Sequence, residues 1–304
     1  MPRVAFVVNP ASANGSTGRR WAEIAHRAAA AGLEGDALIS TRPGEIADLT
    51  ARAVADGADL VVAVGGDGTV YEAANGLMRA DASGVELAIV PRGTGTDFVR
   101  TFRIPRDLDR ALAVARGGQV RPIDVGRARY VTWDGSPAES HFANFAGAGI
   151  SGAIARRANA SSKAMGGRVS FLWATVAVFA RWKSARVAVT VDGETRSGRM
   201  LEVLATIGEY AAGGMWVTPG AAPDDGLLDV LLIGDVTKAD FVTTFPKIYR
   251  GRHLSHPKIE LLRGETVTIE ADEALPIALD GEQPGTTPLA LDVVPRALRL
   301  RVPD

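Results

Sequence analysis

Up to about residue 124 the chain alternates short apolar, β-rich runs with alanine-rich stretches of helical spacing. VAFVVN, TGRRWAEIAHRAAAAG, GDALIS, EIADLTARAVADG, LVVAV, TVYEAANGLMRA and LAIV follow one another in that order. Unbroken apolar runs mark strands covered on both faces, and a helix after each strand provides the crossover that parallel neighbours require. An open parallel sheet is therefore expected here.

From about residue 125 the rhythm changes. RARYVTW, HFANFAG, ARVAVTVDG, MLEVLATIG, LLDVLLIG, TVTIEAD, LPIALDG and LALDVV are strand-like segments separated by Gly, Pro and Asp turns, with one helical interruption around 165 to 182. This half reads as an antiparallel β-sandwich or barrel. The boundary falls near RGGQVRPIDVG at 116 to 126, where Gly-Gly and Pro punctuate the chain.

Composition removes several functional classes. With 304 residues, 46% hydrophobic and 23% charged, the chain can bury a sizeable core and is not a disordered polymer. A net charge of -1 gives no global basic field to draw in nucleic acid or anionic lipid, which leaves only local patches for such partners. The absence of cysteine excludes disulfides, thiolate nucleophiles and cysteine metal sites, and suits a reducing cytoplasm. The longest apolar segment, FLWATVAVFA at 171 to 180, is about half the roughly 20 residues of a membrane span. MPRVAFVVNP has too short an apolar run for a signal peptide, so a soluble, intracellular protein is expected.

The stretch LVVAVGGDGTVYEAANGL at 60 to 77 carries the first chemical signal. After a buried strand, Gly65, Gly66 and Gly68 allow a tight turn with exposed amides. Thr69 is a candidate N-cap, so free amides and the positive end of a helix dipole point into one place, which suits phosphate. Asp67 is the odd member, because a carboxylate beside a phosphate is repelled unless a cation such as Mg²⁺ or a hydroxyl intervenes. Two more loops follow strands of the same expected sheet: NPASANGSTGRRW at 9 to 21 and VPRGTGTDFVRTF at 90 to 102. Ligands of open parallel sheets bind outside the carboxyl ends of the strands, so three such loops favour a nucleotide phosphate site over three plain turns.

These residues resemble the diacylglycerol kinase catalytic family, which includes bacterial lipid kinases and sphingosine kinases. The resemblance lies in Asn9-Pro10 with its loop, GGDGT at 65 to 69 followed by Glu72 and Asn75, and PRGTGTDFVR at 91 to 100. It continues through HFANFAGAGI, GGMWVTPGAAPDDGLLDVLLI, YRGRHLSHPKIE and LDGE, in the family's order. The resemblance implies a Rossmann-like N-terminal domain of the phosphofructokinase and NAD kinase type over 1 to 124, completed by 290 to 304, and a β-sandwich lipid-acceptor domain over 125 to 289.

The same resemblance implies roles. Asn9, Ser12, Thr41, Gly65, Gly66, Asp67, Gly68, Thr69 and Thr94 would border ATP. Asp280 matches the family's general base and Glu282 its acidic partner. Asp225 and the Leu227 carbonyl match two ligands of a structural Mg²⁺, but Ala222 stands where a third, acidic ligand is expected. Ser151 in GAGISG stands where the family often has Asp, and Thr96 where it often has Asn.

Read on its own chemistry, the Asp280-Gly281-Glu282 triplet is also a common hairpin signal, and Asp192-Gly193-Glu194 repeats it. Only the family pattern assigns the second triplet to a site and the first to a hairpin. His26, His141, His253 and His256 show no zinc spacing. Arg92, or the Arg pairs at 19 to 20 and 156 to 157, could neutralise a phosphate. Phe171, Trp173, Phe179, Trp182 and Lys183 are candidates for interfacial docking.

The expectation is a two-domain, ATP- and Mg²⁺-dependent lipid kinase acting most simply on diacylglycerol. It would meet its lipid at a membrane surface without spanning the membrane, would be cytoplasmic with transient contact at the inner face, and could form a homodimer. Alternatives are a kinase of another lipid alcohol such as a sphingoid base, a soluble-substrate kinase of the NAD kinase type, and a catalytically silent nucleotide or lipid binder.

Overall fold

In a computed structural model of the chain, residues 2–93, 96–160, 175, 177–179 and 181–304 are described. They divide into two compact units, Met1–Asp124 with Pro295–Asp304, and Val125–Val294.

The first unit is built as its apolar rhythm dictates. Strands β1 (Val4–Val8), β2 (Gly35–Ile39), β3 (Leu60–Gly65) and β4 (Glu86–Pro91) lie in the order β2-β1-β3-β4, and all three pairings are parallel. Every residue of β1 and β3 is buried, which is why neither shows polar alternation. Helices α1 (Ser16–Arg19), α2 (Trp21–Ala30), α3 (Ile46–Ala55), α4 (Asp67–Arg79), α5 (Asp97–Thr101) and α6 (Leu108–Gly117) connect and cover the strands.

Alternate residues of the strands, Val4, Phe6 and Val8, Leu60, Val62 and Val64, pack with Ala28 of α2 and Leu112 and Ala115 of α6 into one core. Burying each large aliphatic side chain there contributes about 2 kcal/mol. On α4, Gly76 lets α3 approach closely, since a Cβ there would meet the Ala47 carbonyl and Thr50. Helix α6 begins where the Asp107 side chain accepts from the Arg110 amide at 3.1 Å. The chain's last segment returns to this unit: Arg299 and Leu300 pair in parallel with Glu86 and Leu87, and the Arg301 guanidinium donates to the Ala115 and Arg116 carbonyls.

The second unit is the expected antiparallel β-sandwich. Its strands are β5 (Gln119–Thr132, entering from the first unit), β6 (Pro137–Phe142), β7 (Phe145–Gly149), β8 (Ala185–Val191), β9 (Glu194–Thr206), β10 (Tyr210–Ala211), β11 (Met215–Trp216), β12 (Leu228–Gly234), β13 (Ile259–Gly264), β14 (Thr266–Ala271), β15 (Ile277–Leu279) and β16 (Gly285–Val302, leaving toward the first unit). One ladder runs β13-β12-β9-β8-β14-β16, while β7 joins β9 to β15. Phe145, Leu204, Val217, Leu231 and Ala278 share a core between these strands.

Helices here exceed the one expected interruption, most of which lies outside the described residues. Helix α7 (Ile150–Ala160) follows β7 directly, and α8 (Lys238–Ile248) follows β12. α8 opens with a full capping box between Thr237 and Asp240.

Candidate functional site

In the first unit, three loops at the carboxyl ends of parallel strands converge through specific contacts. After β3 the chain turns into α4 at Gly66, and Gly65 has no room for a side chain, because a Cβ would strike Thr69. The Gly66 backbone lies against Gly93 in the third loop, where a Cβ would come within 2.7 Å of the Gly66 Cα. The Arg92 amide donates to the Gly65 carbonyl at 2.6 Å. The first loop joins through Asn9, whose side-chain amide donates to the Thr69 hydroxyl at 3.1 Å while its oxygen accepts from the Ala11 amide. Ser12 hydrogen-bonds the buried Thr17 hydroxyl at 2.6 Å, closing that loop on itself.

Asp67 ties two of these loops together. Its carboxylate accepts from the Phe98 amide at 3.3 Å, so it holds the N-terminus of α5 and fixes the third loop to the second. The residue is partly exposed, yet its carboxylate is largely out of water, and this desolvation raises its proton affinity against the opposing pull of the Asp97, Phe98 and Thr96 amides.

Arg92 is the cation at this cluster. One terminal nitrogen donates to the Ser16 hydroxyl at 3.3 Å, while its buried Nε has no partner among the described residues. Thr41 stands apart from these loop contacts: its amide and hydroxyl both donate to Glu45. Thr94 lies outside the described residues, as do Phe171 and Trp173.

In the second unit, Asp280 and Gly281 form a two-residue hairpin loop closed by reciprocal backbone bonds between Leu279 and Glu282 at 2.8 Å. Both loop residues have positive φ, 49° and 94°, the left-handed pair that such a turn demands. The Asp280 carboxylate does not point outward. It accepts from the amides of Ala143 at 2.8 Å, Asn144 at 3.0 Å and Phe145 at 2.7 Å, and its own amide donates back to the Phe145 carbonyl. Glu282, its neighbour in sequence, is exposed. The triplet read as a site is thus also a hairpin, like its counterpart at 192 to 194.

A few residues further on, β7 runs into α7 and presents Ser151, whose hydroxyl and amide donate to the Glu202 carboxylate at 2.6 and 2.7 Å. Glu202 sits on β9 opposite Gly149, and Gly147 and Gly149 leave the space its carboxylate fills. Burial pushes its carboxyl up to about 7 despite the bonds from Ser151. Sequence reasoning missed it, although an acid inside the buried run MLEVLATIG was the available signal. A carboxylate therefore does stand at position 151, supplied from another strand.

The structural Mg²⁺ implied by the resemblance does not fit the residues present. The Asp225 carboxylate is bound by the Arg263 guanidinium, which also donates to Asp229 at 3.0 Å. The Leu227 amide donates to Asp225 as well, at 3.1 Å. With Ala222 in the third ligand position and a guanidinium already between two carboxylates, the cation here is a side chain. Among the described residues no group of three or more His, Asp or Glu is arranged to hold a metal. His253 is buried with Nε2 against the Val217 carbonyl, a structural role.

Known proteins share both halves of this architecture. Residues 3–128 match the model of the diacylglycerol kinase catalytic domain, and residues 144–302 match that of the YegS C-terminal NAD kinase beta sandwich-like domain. A diacylglycerol kinase of Bacillus subtilis is 26% identical over 95% of this chain and 92% of its own length. One from Mycobacterium tuberculosis is 28% identical over 99% of this chain and 95% of its own. A solved Bacillus anthracis structure, described as a candidate diacylglycerol kinase, superposes with a TM-score of 0.78 at 26% identity, covering 99% of this chain and 97% of that one. Yeast NADH kinase complexed with NADH shares the fold alone, with a TM-score of 0.54 at 11% identity over 100% of this chain and 84% of its own. On both halves, the chain belongs to the diacylglycerol kinase catalytic family and is a lipid kinase.

Proposed function

We propose that this lipid kinase transfers the γ-phosphoryl group of ATP to the free hydroxyl of diacylglycerol, forming phosphatidate and ADP. The observation that carries the nucleotide half is the backbone meeting of Gly66 and Gly93, which brings two glycine loops together beside Arg92, whose Nε is buried and unpaired. In this reading the amides of Gly65 to Thr69 cradle the phosphates, with Asn9, Ser12 and Thr94 bordering the nucleotide. Arg92 offsets phosphate charge.

Phosphoryl transfer asks the protein mainly for in-line positioning and charge stabilisation. The amides of Ala143, Asn144 and Phe145 hold the Asp280 carboxylate in one orientation. Asp280 then accepts the proton of the acceptor hydroxyl as its oxygen bonds to phosphorus and the bond to the ADP oxygen breaks. Glu282 adds negative charge beside that hydroxyl. Mg²⁺ bound to the ATP phosphates would supply further charge neutralisation.

The test is transfer of labelled γ-phosphate from ATP to diacylglycerol, a sphingoid base and NAD, each assayed separately with Mg²⁺, the lipids in mixed micelles. Label in phosphatidate alone supports the reading. Label only in the sphingoid base or in NAD moves the acceptor class, and ATP binding without transfer to any of them makes the chain a silent binder.

A further inference from the structure

Helix α8 is an anomaly of burial. Its eleven residues, KADFVTTFPKI, include Phe241, Val242, Phe245 and Ile248, yet none is fully buried. One edge of the apolar stripe is anchored to the body of the second unit. Phe241 stacks on Phe179 at 3.7 Å between centroids and on Phe245 at 4.8 Å, and Phe245 meets Tyr249 edge-on. The other edge faces out. Val242 is 70% exposed and Tyr249 46%, and with exposed Pro246 they follow the spacing i, i+4, i+7 of one helical face.

Charge divides along the same line. Lys238 and Arg250 are exposed along this face, four residues before Val242 and four after Pro246. The helix's one acid, Asp240, is turned away into the capping box and lies 3.6 Å from Lys258 and 3.8 Å from His256. Asp235, just before the helix, is 3.8 Å from Arg199. An apolar strip rimmed by cations, with nearby acids paired elsewhere, complements an anionic surface that has an apolar layer beneath it.

We propose that the outward face of α8 is the element by which the second unit docks on an anionic lipid bilayer, with Val242, Pro246 and Tyr249 entering the interface and Lys238 and Arg250 meeting the headgroups. The proposal deepens the lipid-acceptor reading and rests on it. No helix among the described residues is long and apolar enough to cross a membrane, so a docked surface is the means by which a kinase of this build reaches a lipid acceptor.

The experiment is sedimentation of the full chain with phosphatidylcholine vesicles, with and without phosphatidylglycerol, for the parent, Val242→Glu/Tyr249→Glu and Lys238→Glu/Arg250→Glu. Phosphate transfer to a short-chain, monomeric diacylglycerol is measured in parallel, and circular dichroism checks folding. The parent is expected to sediment with phosphatidylglycerol vesicles. Each cation near the surface is worth about fivefold in binding, so the charge-reversed pair should fall at least about 25-fold. The apolar pair should lose binding while turnover of the monomeric lipid is retained. Folded variants that sediment like the parent, or a parent that ignores phosphatidylglycerol, overturn the proposal. So does a dimer that the α8 variants dissociate without changing vesicle binding, which would make a second copy the occupant. Absence of transfer to the monomeric lipid, with vesicle binding intact, overturns the acceptor reading and leaves the docking face standing.

Discussion

Asp192 and Asp280 hold the same place in two Asp-Gly-Glu hairpins, and each turns its carboxylate onto the backbone amides that open a neighbouring strand. Asp192 accepts from Glu265 and Thr266 at the start of β14, and Asp280 from Ala143, Asn144 and Phe145 at the start of β7. The triplet is thus a structural device used twice, and its setting separates the copies: Asp192 is exposed and Asp280 partly buried. Both Asp→Asn variants should lose stability in urea denaturation, Asp280→Asn by about 2 kcal/mol and Asp192→Asn by about half that, because amide bonds to a charged acceptor are worth more where water competes less. Equal stability of parent and Asp280→Asn would mean that the amide contacts do not hold the turn.

Thr96 opens α5 in the left-handed conformation, with φ 58°, and is buried. A β-branched residue is strained there, whereas Asn tolerates it. Thr96→Asn should raise stability by about 1 kcal/mol, seen as a higher melting temperature, without weakening ATP binding. A lower melting temperature would show that the Thr96 side chain is worth more than its strain.

Arg263 bridges the carboxylates of Asp225 and Asp229. Neither EDTA nor added Mg²⁺ should shift the melting temperature of the nucleotide-free protein. Arg263→Ala should cost about 2 kcal/mol, because it strands the buried Asp229 carboxylate, whose proton affinity burial already raises. A marked stabilisation by Mg²⁺ alone would contradict the substitution of a guanidinium for the ion.

Glu202 links stability to pH. Its carboxyl titrates near 7 in the fold against an ordinary value of 4.5, so the folded chain binds the proton more tightly than the unfolded one. The resulting stability is fully present below about pH 4.5 and is lost as pH rises through 7, a difference of about 3 kcal/mol. Glu202→Gln removes this dependence, so the variant should gain on the parent between about pH 5 and 8 in denaturation experiments. A constant difference between the two across that range would place the titration elsewhere.

What was legible in the sequence is what local chemistry decides. Fully apolar runs such as LVVAV marked strands covered on both faces, and GGDGT marked the turn because only glycine permits its close approaches. The sandwich followed from strand-length runs between Gly, Pro and Asp turns. Helix α8 has a local signal in its capping box, Thr237 to Asp240, but sits among strand-like segments on both sides. Other features depend on register across the fold. The Asp67 carboxylate finds its partner 31 residues away, Arg263 meets Asp225 across 38, and Ser151 meets Glu202 across 51. Periodicity states which face a residue takes and not which residue stands opposite.

The most direct test of the account is single-turnover phosphate transfer from ATP to diacylglycerol by Asp280→Asn and Asp192→Asn, with ATP affinity measured on the same samples. Both variants share one chemical change at one kind of hairpin, so lost capping is common to them and lost catalysis is not. The account predicts that Asp280→Asn binds ATP like the parent and transfers phosphate at least about a hundredfold more slowly, while Asp192→Asn transfers at the parent rate. Equal transfer rates in the two folded variants would contradict it, and would leave Asp280 as a turn residue alone.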